Sequence, residues 1–90
     1  MSTETSGPRP GSGRTPEEVI TEELGRLLGP LTARASIRVF SLRVLGVKAE
    51  EMKPADVPRV LEGLRPMLMT LLGAEPTEGV IRAITRRFVP

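Results

Sequence analysis

The side chains best suited to chemistry in this 90-residue chain are carboxylates. Glu17, Glu18, Glu22 and Glu23 fall within one short stretch, and Glu50 and Glu51 form a second pair. Converging carboxylates hold hard cations or move protons. The partners such chemistry normally needs are missing: with no His and no Cys there is no ordinary base near neutral pH, no thiolate and no soft metal ligand. One Asp in the whole chain excludes a calcium loop of the EF-hand type. Gly7, Gly11 and Gly13 lie in a polar stretch without the strand and helix that frame a phosphate-binding loop. Glu crowded at a helix start also complements the macrodipole, the commoner use of these residues. The expectation is a protein that is not an enzyme and takes no metal or cofactor.

The cations form two groups. Arg34, Arg38, Ser41, Leu45 and Lys48 share a narrow stripe at a step of about 100° per residue, and Arg82, Arg86 and Arg87 crowd the end of the chain. On nucleic acid both groups would contact phosphates. The pI of 9.9 suggests such a partner more strongly than the net charge of +2 does. Without residues 1–14, which carry Arg9, Arg14 and Glu4, eleven basic side chains face ten acidic ones. Aromatic side chains for base stacking are nearly absent, at 2% of residues, and no helix-turn-helix pattern is visible. Cations in a last turn complement the helix end, and a basic second helix complements an acidic first one. Nucleic acid is therefore an unlikely partner on sequence, and phosphate contacts through Arg82, Arg86 and Arg87 define the alternative function.

The elements that must position these groups follow from caps and periodicity. Residues 1–14 contain Gly, Pro and Ser and no large apolar residue after Met1, so they read as a disordered tail. Thr15-Pro16-Glu17-Glu18 is a capping box with Pro at the first helical position. It opens a helix over about 16–28, with Ile20, Leu24, Leu27, Leu28 and Leu31 at helical spacing and Gly29-Pro30 as the stop. A second helix is expected over 31–45; a strand at 36–44 would have no partner for its hydrogen bonds. A ribbon-helix-helix dimer is a poor match, since that fold begins with its strand. The connection 47–55 is long enough to wander across the surface. Asp56 is expected to cap a third helix over 57–72, kinked at Pro66 with the break near Glu62 and Gly63. Thr77 is expected to cap a fourth over 78–88, with Val80, Ile81, Ile84 and Phe88 inward.

These elements predict an all-α fold: a small four-helix bundle over residues 15–90 with a disordered N-terminal tail. No apolar run approaches the ~20 residues of a membrane span and no signal peptide is evident, so the expected location is the cytoplasm. The second helix is apolar around most of its girth, more than three short neighbours can shield. Leu45 is expected to project into the Arg stripe. Met69 lies about 120° from the apolar centre of its helix, beside Glu62 and Arg65. The expected function is a protein–protein interaction module, an adaptor or regulatory subunit. It would self-associate as a two-fold dimer burying parts of the second and third helices, with Met67 and Met69 as adaptable contacts.

Overall fold

A computed structural model describes residues 15–88. It is an all-α four-helix fold, and the expected tail 1–14 lies outside the described residues. Helix α1 spans Pro16–Leu28 and opens on the capping box: the Glu18 N–H donates to Thr15 Oγ1 at 3.1 Å, and the Thr15 N–H donates to Glu18 Oε1 at 3.0 Å. Val19, Ile20 and Leu24 are buried, whereas Leu27 is exposed. Gly29 separates α1 from α2, Pro30–Phe40, and Pro30 occupies a first-turn position where no N–H is needed.

The second helix does not run regularly to residue 45. Past Phe40 the chain widens into a π turn, Ser41–Leu45. The Gly46 N–H reaches both the Ser41 carbonyl at 3.1 Å and the Leu42 carbonyl at 3.0 Å. Gly46 closes the turn at φ 75°, a conformation that a Cβ would oppose. A π turn holds more residues than an α turn and sets back the phase of the residues beyond it. Leu45, expected to project into the Arg stripe, is instead half-buried against the core, and Leu42 is exposed.

Three further expectations are corrected. The connection does not wander: two short 3₁₀ turns, Ala49–Glu51 and Pro54–Asp56, fold it down so that Ala49 and Met52 enter the core. Asp56 does not cap the third helix but accepts the Lys53 N–H at 3.1 Å, because a 3₁₀ turn already leads into that helix. Thr77 is no cap either, since α4 spans Ala74–Phe88 and Pro76 is tolerated in its first turn. Thr77 is buried within the helix. Helix α3, Val57–Leu72, is a single helix that includes Pro66.

Helix α2 packs against α1 and α3, while α4 sits against α1 and α3. The core joins Ile20 and Leu24 of α1, Ala33 and Ile37 of α2, Val60, Leu61, Leu64 and Leu68 of α3, and Val80, Ile81 and Ile84 of α4. Helix α3 approaches the π turn closely at Gly63, where a Cβ would meet Val44 Cγ2 at 2.6 Å and Phe40 Cδ1 at 3.7 Å. Val44 is stiff at χ1 and cannot swing away cheaply. Overpacking therefore outweighs the gain in helix propensity. Gly63→Val is expected to lower stability by about 2 kcal/mol, or roughly 10 °C in Tm. Val44→Ala in the same chain should recover most of that loss; an unchanged Tm for Gly63→Val in thermal unfolding would refute the close approach. At Thr77 the opposite sign is expected. Its buried hydroxyl has no hydrogen-bond partner among the described residues, so the near-isosteric Thr77→Val should gain about 1 kcal/mol in urea unfolding.

Candidate partner-binding face

The outward side of α2 is built by its own periodicity. Ala33 and Ile37 face the core and leave Leu31, Ala35 and Val39 on the far side, spread over about 80° at 100° per residue. Leu42 follows from the first turn of the π segment. All four are exposed, Leu31 at 80%, Val39 at 48% and Leu42 at 56%. Single exposed leucines are ordinary, but consecutive turns of one helix with an apolar residue outward make a continuous strip. Arg34 and Arg38 are exposed along one edge. At the lower end Arg38, Leu42, Lys48, Ala49 and Glu50 enclose an open recess of about 200 Å³. Its walls are apolar from Leu42 and Ala49 and cationic from Arg38 and Lys48, while Glu50 supplies the one acid.

The structure divides the residues expected at the partner surface. Arg34, Arg38, Lys48 and Met69 are exposed. Ser41 is fully buried, and its Oγ donates to the Val47 carbonyl at 2.9 Å. On a helical wheel Ser41 lies about 40° from Ile37 and 60° from Arg38, and the chain returning through Gly46 and Val47 decides that boundary in favour of burial. Met67 packs against the core, where its sulfur accepts the Ser36 hydroxyl at 3.7 Å. Leu45 is likewise part of the intramolecular packing. The sequence reading does not single out Leu31, Val39 and Leu42 as surface residues. Their signal lies in the i, i+4, i+8, i+11 spacing, which is hidden when Leu31 is grouped with the first helix.

Among the described residues no ion pair joins the glutamates of α1 to the cations of α2. Arg87 of α4 takes that role: its Nη1 donates to Glu22 Oε1 and to Glu23 Oε2, both at 2.9 Å. Hydrogen bonds to Glu22 and then Glu23 raise the Arg87 pKa above its ordinary value. Arg87 is thus a tie between α1 and α4 and not a free phosphate contact, whereas Arg82 and Arg86 are exposed. A second tie joins Arg65 of α3 to Glu62 at 3.1 Å and to Glu78 of α4, and these contacts raise the Arg65 pKa, the Glu62 hydrogen bond most. Arg43 lies over the Phe40 ring at 5.2 Å. Among the described residues no ion pair engages Arg34, Arg38, Arg43 or Lys48.

Comparison with family models, curated proteins and solved structures gives no match. Among the described residues no group of three or more acidic side chains is arranged to hold a metal ion, and no helix is long and apolar enough to cross a membrane. A shallower recess of about 280 Å³ between α1 and α4 is lined by Glu23, Arg26, Leu27, Pro76, Gly79 and Val80.

The two classes of arginine should separate in chemical denaturation. Arg87→Met is expected to cost up to about 1 kcal/mol, since exposed ion pairs contribute 0.2–1 kcal/mol, and the cost should shrink in high salt. Arg34→Ala and Arg38→Ala touch no structural partner and should stay within about 0.5 kcal/mol of the parent. A loss at Arg34 or Arg38 as large as at Arg87 would show that the α2 cations hold the fold.

Proposed function

We propose that this protein is a non-enzymatic helical interaction module, an adaptor or regulatory subunit, that binds another protein on the outward face of α2. One observation carries the reading: an uninterrupted apolar strip, Leu31–Ala35–Val39–Leu42, stays open to solvent on a helix that packs against α1 and α3. Removing apolar surface from water contributes about 25 cal/mol per Å², so a small domain gains by covering such a strip with a partner. The missing His and Cys and the scattered carboxylates support a binding role over turnover. The nucleic-acid alternative draws less support. Of its three candidate arginines, Arg87 is engaged by two carboxylates, and an apolar strip beside the α2 cations adds nothing to phosphate binding.

A photo-crosslinking side chain at position 39 or 42, irradiated in host cells, should give adducts with protein that survive nuclease treatment. The same group at exposed Glu75 should give few. Nuclease-sensitive adducts, or equal yields at all three positions, would refute the module.

A further inference from the structure

The charge around the open face is mostly positive, with Glu50 at the recess its one acid. Residues 30–49 contain Arg34, Arg38, Arg43 and Lys48 and no acidic residue, although the rest of the described chain mixes both signs. The ion pairs among the described residues leave this segment out: Glu22 and Glu23 go to Arg87, and Glu62 and Glu78 go to Arg65. A folded domain with a near-balanced total thus concentrates positive charge along an exposed apolar strip. The strip runs from Leu31 to Leu42, which at 1.5 Å per residue is about 16 Å, or three helical turns.

Resting on the proposed interaction module, we infer that the α2 face receives an acidic amphipathic helix of another protein. That helix would lay its apolar side along Leu31, Val39 and Leu42, and set carboxylates against Arg34, Arg38 and Lys48. One of its apolar side chains would enter the recess that Leu42 and Ala49 line, beneath the Arg38 and Lys48 charges. Arginine suits this task because its planar fork takes a carboxylate through two parallel hydrogen bonds. A second copy of the chain fits less well. A two-fold contact through α2 would set Arg34, Arg38 and Lys48 of one copy against the same cations of the other, with Glu50 the one acid of the face on each copy. An anionic lipid surface would match the charge, yet interfacial binding scales with the apolar area buried, and this face offers only Leu31, Val39 and Leu42 as large apolar side chains.

The test is a selection on the folded protein. A surface-displayed library of 14-residue helices, with a fixed leucine stripe and flanks randomised between Glu, Gln and Lys, is sorted for binding to the full chain. Enrichment of Glu flanks is expected. The Arg34→Glu/Arg38→Glu variant should lose at least tenfold affinity for the selected helices and enrich Lys flanks in a fresh selection. Leu42→Glu should abolish binding to both sets, and circular dichroism checks that each variant stays helical. Neutral or Lys-rich winners for the parent chain would overturn the inference, as would tighter binding to phosphatidylserine vesicles than to any helix, or a dimer in sedimentation that Arg34→Glu/Arg38→Glu leaves intact. These outcomes are separable from failure of the module itself: protein crosslinks from positions 39 and 42 would persist if only the partner's charge were wrong, and vanish if the face bound no protein.

Discussion

A short helix that carries apolar side chains around most of its circumference needs cover on every side, and this fold supplies α2 with two neighbours. Helices α1 and α3 take the sides presented by Ala33 and Ile37. Helix α4 packs instead against α1 and α3, where its own Val80, Ile81 and Ile84 join the core. Four helices over so few residues cannot place α4 in both positions. The third side of α2 is therefore left to solvent, and the surface chemistry of the molecule follows from that shortage.

The π turn at Ser41–Leu45 determines which residues suffer from it. Continued α-helical phase would have kept Leu45 among the cations; the wider turn brings it against the core, while Leu42, at the start of the turn, keeps the outward phase of Leu31 and Val39. The turn also lets the chain come back over Ser41, whose hydroxyl finds the Val47 carbonyl, and lets Ala49 and Met52 drop into the core. Opposite the turn only a glycine fits, because Val44 fills the space that a Cβ at Gly63 would need. One local change in helical geometry thus seats three segments of chain.

Electrostatics adds orientation more than strength. The Arg87 tie to Glu22 and Glu23 and the Arg65 tie to Glu62 and Glu78 lie at the surface, where each contributes about 1 kcal/mol or less. Apolar burial supplies far more. What the ties do is engage carboxylates of α1, α3 and α4, while among the described residues no ion pair engages the cations of α2.

By itself the sequence determined what depends on local rules. The capping box at Thr15 and Glu18, the glycine stop at Gly29, the absence of any strand among the described residues, and the inward placement of Ile20, Leu24, Val80, Ile81 and Ile84 all rest on backbone sterics and a constant angular step. Tertiary structure decided the matters where that step fails or where two sides compete. A change of helical pitch placed Leu45 inward; the returning chain buried Ser41 at a boundary that periodicity leaves even; and the arrangement of neighbours gave Glu22 and Glu23 to Arg87. Each departs from the constant angular step, through a change of pitch, a chain reversal or a partner on a distant helix, which a periodicity counted along one segment does not contain.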